Sequence, residues 1–176
     1  MAISQQLKEK IDRLRPNFPT TQALVIPMLH EVQHETGMVS EDSMREIAVF
    51  LQLPLMKIRE VATFYTMFNK KAVGQVHYQL CSNIGCWLNG SDKLMHHMEQ
   101  RLKINAGQSS TDGKYTLSEV ECLGACGSAP VLQVNEDYYE NVDLPMLDEL
   151  MQSFSSKINA GEKYIGRETY NPEVWP

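Results

Sequence analysis

VHYQLCSNIGCWLNGS (residues 76–91) and YTLSEVECLGACGSAP (residues 115–130) carry all four cysteines of the chain and decide its reading. Cys81 and Cys86 form C-x4-C; Cys122 and Cys126 form C-x3-C. Val76, Tyr78 and Leu80 alternate with His77 and Gln79, the period of a half-buried strand, and Tyr115 to Glu121 reads as a second strand. Each cysteine pair therefore falls just past a strand, on a loop rich in glycine and small residues. Two local thiol pairs held apart by a folded unit suit one shared inorganic centre. An iron–sulfur cluster needs four thiolates converging on two irons bridged by sulfide.

Other readings of the four thiols stand beside this one. A disulfide framework is a habit of small secreted chains. The N-terminus, MAISQQLKEKIDRLRP, has no apolar h-region or cleavage-site pattern, so export is not expected. A structural zinc site favours C-x2-C knuckles, which neither spacing matches. A dithiol redox enzyme wants C-x-x-C, which is absent. Four unconnected buried thiols are the remaining option, but chance rarely leaves them in two tight pairs beside glycines. Plant-type ferredoxins also open with C-x4-C, but their third cysteine follows after two residues, whereas here a helix and a strand intervene.

Working outward, Ser91 reads as the cap of a helix with Leu94, Met95, Met98 and Leu102 on one face. Asp112-Gly113 marks a turn before the second strand. Val131, Leu132 and Val134, a turn at Asn135-Glu136-Asp137, then Tyr138 and Tyr139 predict a hairpin. Asp143 opens a last helix carrying Met146, Leu147, Leu150, Met151 and Phe154. The order β-α-β-β-α implies helices layered on a small sheet. The tail after Lys157 shows no periodicity, and its aromatics and prolines suit an extended arm on a partner and a frayed end equally well.

The first 72 residues read as helices only. One runs from about Ser4 to Leu14, and a second from Thr20 or Thr21 towards Gly37, kinked at Pro27. Ser40 caps a third, with Glu41 and Asp42 at its positive end and Met44, Ile47, Ala48 and Leu51 in a stripe. Leu55, Ile58, Ala62 and Tyr65 form the stripe of a fourth, started by Pro54. The expected organisation is a helical bundle over 1–72, an α/β domain over 73–156 and a tail over 157–176. The fold class is α+β.

The composition, 43% hydrophobic and 22% charged over 176 residues, is that of an ordinary globular chain. No apolar run approaches the ~20 residues of a membrane span. Sixteen basic against 22 acidic residues, net −6, argue against nucleic acid. Free thiols without an export signal place the chain in a reducing cytosol.

His30-Glu31-Val32-Gln33-His34 is a literal H-E-x-x-H, which on a helix sets two imidazoles one turn apart beside a glutamate base. This gives a second function class, a zinc metalloprotease. Its extended form then needs a histidine where Ser40 stands. Gly85 and Gly90 have phosphate-loop spacing, but Ser91-Asp92 replaces the required Lys-Ser/Thr. No G-x-G-x-x-G follows a strand. Adjacent His96 and His97 cannot face one metal and are expected at the surface.

A 2Fe–2S centre with four thiolates is formally about −2, and about −3 when reduced, so the protein must supply donors. Backbone N–H groups reach sulfur most easily where glycine lets the chain approach. Gly85, Gly90, Gly124 and Gly127 are placed for this, with Ser82, Asn83 and Ser128 as further donors. Trp87 reads as a shield for the cluster or as core. Nothing in these loops forms an acid–base pair, so the task expected is one-electron transfer.

C-x4-C-W-L-x-G-S (81–91), DGKYTLSEVECLGACG-x-AP (112–130) and VNEDYYEN (134–141) resemble the 24-kDa-type (E-type) subunit of bacterial NADH–quinone oxidoreductase, respiratory complex I. The helical half resembles it too, in IPMLHEVQHETGMVSED (26–42) and VATFYTMFNKKAVG (61–74). HEVQH falls inside a family segment, which weakens the protease reading. The resemblance covers about residues 17–155. It implies a thioredoxin-like 2Fe–2S ferredoxin domain behind the bundle, with Cys81, Cys86, Cys122 and Cys126 as ligands. It also implies a flavin- and NADH-binding partner subunit that holds the FMN and NADH and exchanges single electrons with the cluster. The chain would then be part of an enzyme, not catalytic by itself. It would sit in the peripheral arm of a membrane-bound complex, on the cytoplasmic face and without inserting. Similar subunits serve NAD-linked hydrogenases and formate dehydrogenases, which are the alternative parents.

Overall fold

A computed structural model describes residues 3–162 of the chain. The chain separates into two compact units, with the break between Ala72 and Val73.

The first unit is all helix. Helix α1 spans Gln5–Leu14, and Ser4 caps it by accepting the Leu7 N–H at 3.1 Å. Thr21–Leu24 is a 3-10 turn, followed by α2 over Val25–Thr36. The single helix expected from Thr20 is thus split. Pro27 lies in the first turn of α2, where a missing N–H removes no intrahelical bond, so it does not act as a mid-helix kink. Gly37 ends α2 at φ +78°. Helix α3, Glu41–Leu51, is capped by Ser40, which accepts from Ser43 N–H, and α4 covers Leu55–Phe64. The stripes meet in a core of Leu7, Ile11, Met28, Leu29, Ile47 and Ile58. Tyr65, expected on the α4 stripe, instead follows the helix and is part-exposed.

The second unit starts with β1, Val76–Cys81. A short helix α5, Ile84–Leu88, and α6, Ser91–Leu102, follow. Next come β2 (Gln108–Ser109), β3 (Tyr115–Val120), β4 (Leu132–Val134), β5 (Asp137–Tyr139) and α7 (Leu144–Asn159). The sheet order is β2-β3-β1-β4-β5. Strands β1 and β3 run parallel, with Val76 opposite Tyr115 and Cys81 opposite Val120. The other pairs are antiparallel. Helices α6 and α7 lay Leu94, Met98, Leu147, Met151 and Phe154 on Val76, Tyr78, Leu80, Leu117 and Leu132. This is α+β architecture with helices on a small mixed sheet.

Details depart from the sequence reading. Gly90, at φ +91°, is the residue before α6, and Ser91 is its buried first residue rather than a capping side chain. The hairpin turn is Asn135-Glu136 alone, because Asp137 already pairs with Val134. Asn135 takes a left-handed φ of +54° there. Asp143 caps α7 by accepting the Met146 N–H at 2.9 Å, as its position predicts. Helix α7 runs to Asn159 and buries Ile158, beyond the expected end of the domain. The tail from residue 163 lies outside the described residues. Among the described residues no helix is long and apolar enough to cross a membrane.

Candidate metal centre

The parallel pairing of β1 and β3 positions the site. Parallel strands end at one edge of a sheet, so the chain leaves Cys81 and Val120 side by side. Cys81 N–H donates to Val131 O at 3.1 Å, and Ser82 N–H to Val120 O at 3.0 Å. These bonds fix the first loop against the second. Cys81 and Cys86 are buried with Val131, and Val120, Leu123, Ala125 and Ala129 pack around them. Cys122 and Cys126 are exposed, and none of the four is in a disulfide.

Cys86 sits on α5, whose start is fixed by Asn83 Oδ1 accepting the Ile84 N–H at 2.9 Å. Cys126 opens a 3-10 turn, Cys126–Ser128. The loops meet where Gly85 faces Cys126, since a Cβ on Gly85 would lie 3.8 Å from the Cys126 Cβ. Burial pushes the Cys86 thiol up to about 11, helped by a hydrogen bond with Cys81 and by the nearby charges of Cys81 and Cys126. A backbone hydrogen bond from Val131 acts in the other direction. Cys86 therefore has both Cys81 and Cys126 as neighbours. Cys122 heads the same second loop, and its Sγ accepts the Gly124 N–H at 3.4 Å.

A buried thiol with a raised pKa and two thiols beside it is an unfavourable place for free thiolates. It becomes favourable when a cation compensates them, because metal binding removes the protons. Four sulfurs carried on two loops at one sheet edge would suit a 2Fe–2S group.

The expected donors divide. Gly124 supplies an N–H to sulfur, and Gly85 lies against Cys126. The Ser82 and Ser128 hydroxyls donate instead to Val120 O at 3.4 Å and Ala125 O at 3.2 Å, bracing the loops. Asn83 is a helix cap, and Gly90 serves α6. Trp87 is neither core nor buried shield, because it is 57% exposed on α5 beside Ile84 and Leu88. Sequence reasoning missed Val131, whose backbone serves both buried cysteines. It looks like any strand valine, and only the pairing of β4 with β1 brings it to the site.

The H-E-x-x-H stretch lies on α2. Its Glu31, the would-be base, is bound by Lys10 Nζ at 2.7 Å. His30 stacks edge-on against Phe68 with centroids 5.1 Å apart. His97, expected at the surface, is part-buried and meets Asp148 Oδ1 at 2.8 Å, joining α6 to α7.

The family model for thioredoxin-like 2Fe-2S ferredoxins matches residues 8–155, a span that contains both cysteine pairs and the H-E-x-x-H stretch. The chain is 40% identical over 148 residues to an E-type subunit of the NADH-quinone oxidoreductase of Rhizobium meliloti (strain 1021), the one numbered 2, covering 84% of this chain and 88% of that relative. It is 42% identical over 133 residues to the E-type subunit of the NADH-quinone oxidoreductase of Rickettsia felis, covering 75% and 80%. Among solved structures it resembles the NAD+-reducing NiFe-hydrogenase in its air-oxidized state, with TM-score 0.67 and 18% identity. That match covers 87% of this chain and 25% of the hydrogenase chain, and at this identity it shows the shared fold alone.

Proposed function

The chain belongs to the thioredoxin-like 2Fe-2S ferredoxin family, and from that premise we propose that it is the electron-transfer subunit, of the E type, of an NADH–quinone oxidoreductase, with Cys81, Cys86, Cys122 and Cys126 as the cluster ligands. The observation that carries the assignment is the meeting of the two cysteine loops, fixed by parallel β1–β3 pairing and by the Gly85–Cys126 approach. A 2Fe–2S cluster supplies one-electron uptake and release. The protein's part is to hold it. Burial of Cys81 and Cys86 with Val131 excludes water from one side. The Val131 and Gly124 backbones offset negative charge on Cys86 and Cys122.

In this reading the chain is one component of a hetero-oligomer, and its partner is the flavin- and NADH-binding subunit, at the cytoplasmic face of the membrane. The names of relatives at 40–42% identity, all of the E type of NADH-quinone oxidoreductase, favour the complex I parent. The hydrogenase likeness, at 18%, supports only the fold. Anaerobic preparation followed by iron and sulfide analysis and EPR tests the ligand set. About two irons and two sulfides, with an S = ½ signal appearing on dithionite reduction, is the expected result. Cys122→Ser and Cys126→Ser variants with unchanged iron content and spectrum would remove the assignment. Co-purification of a flavoprotein with the tagged chain tests the partner; absence of any flavin from the native complex would refute it.

A further inference from the structure

We propose that Gly124 is a positioning residue for the redox poise of the site: its left-handed backbone aims an N–H at Cys122 Sγ, and this bond stabilises the extra negative charge of the reduced form. The inference rests on Cys122 being a ligand, as argued above.

Three observations carry it. Gly124 N donates to Cys122 Sγ at 3.4 Å, within the range of an N–H···S bond. Its φ is +79°, a conformation that L side chains rarely adopt. A Cβ there would meet nothing within 4 Å, so the glycine answers a need of the backbone and not of space. The location matters as well. Cys81 and Cys86 are buried, whereas Cys122 is exposed, so its sulfur has solvent as a competing and mobile donor. A donor fixed by the fold is already oriented when charge arrives, without reorganisation. The step concerned is addition of one electron, from dithionite in the test or from a reduced flavin in the assembled complex. No bond is broken, and the added charge is shared over the sulfurs. Donors to those sulfurs raise the reduction potential.

The test uses the full chain, purified anaerobically with its cluster, as wild type, Gly124→Ala and Gly124→Asn. Asn tolerates left-handed backbone where Ala does not, and the open space accepts either side chain. EPR-monitored redox titration should show a more negative potential for Gly124→Ala. The expected shift is about tenfold in the equilibrium constant, or ~59 mV for one electron, with Gly124→Asn close to wild type. An unchanged potential in Gly124→Ala at full iron and sulfide content would overturn the proposal. If Gly124→Ala holds no cluster, a second measurement decides. Pulsed EPR of reduced wild type grown on 15N-glycine should show a nitrogen coupling that is missing from Gly124→Asn labelled in the same way. Identical couplings in the two proteins would overturn the proposal. Wild type without iron and sulfide would instead refute the ligand reading itself.

Discussion

Gly85 faces Cys126 so closely that a Cβ on the glycine would sit 3.8 Å from the cysteine Cβ, which is ordinary van der Waals contact. The two cysteine loops therefore leave room for a methyl group at Gly85, and a longer side chain directed at Cys126 would meet its Cβ. Gly85→Ala should keep the fold and the iron and sulfide content of wild type. Gly85→Leu should wedge the loops apart and lower cluster content several-fold, at a packing cost of about 1–3 kcal/mol. Iron and sulfide analysis of both variants checks this; a full cluster in Gly85→Leu would show that the loops do not need this approach.

Gly74 constrains the start of the second unit more tightly. A Cβ there would lie 2.6 Å from the backbone of Tyr115, and its N–H donates to Thr116 Oγ1 at 2.7 Å. Backbone cannot yield as a flexible side chain can. Gly74→Ala should destabilise the second unit by about 1–3 kcal/mol. The readout is the denaturation midpoint followed by circular dichroism, and a midpoint within error of wild type would contradict the close approach.

Tyr78 is fully buried, and its hydroxyl has no hydrogen-bond partner among the described residues. Burial and the neighbouring Tyr115 and Tyr139 push its pKa far above the ordinary tyrosine value. An unpaired buried hydroxyl costs about 1–3 kcal/mol, while the ring contributes packing. Tyr78→Phe should therefore leave stability unchanged or raise it, and Tyr78→Ala should lose about 3–5 kcal/mol. Equal losses in both variants would mean that the hydroxyl is partnered after all.

What is legible in the sequence, and what is hidden, follows from where the stabilising contacts lie. Helices α3 and α7 announce themselves because each buries a periodic face, and Ser40 and Asp143 mark helix starts with side-chain acceptors. Strand β1 does so through its alternating Val76, Tyr78 and Leu80, although His77 between them is buried too. Strand β2 leaves no trace in the pattern, since both Gln108 and Ser109 are exposed and only pairing with β3 holds them extended. Helix α5 escapes notice because five residues are too few for a periodic signal, and its Ile84, Trp87 and Leu88 are exposed. The cysteine pairs are readable from spacing and nearby glycine. Their convergence depends on the parallel register of Cys81 with Val120, a long-range contact that local pattern does not encode. The same holds for Val131.

His77 gives the chain a pH dependence with a defined sign. It is 7% exposed on β1, its Nε2 lies 2.8 Å from Ser118 Oγ, and burial lowers its pKa to about 4 from the ordinary 6.5. Above pH 6.5 the imidazole is neutral in folded and unfolded chains alike, so it adds no pH slope. Between 6.5 and about 4 the unfolded chain binds a proton that the folded chain refuses, so stability falls as pH falls. Below about 4 both forms are protonated and the loss levels off, at on the order of 3 kcal/mol. The depressed carboxyls of Glu41, Asp112 and Asp148 act below their ordinary values, so they contribute at the acid end of this range. His77→Gln should remove the part of the slope between about pH 6.5 and 4.5 while leaving the neutral-pH midpoint within about 1 kcal/mol of wild type. Denaturant midpoints at about pH 7.5, 6.0 and 5.0 for the two proteins provide the comparison, and parallel slopes would exclude His77 as their source.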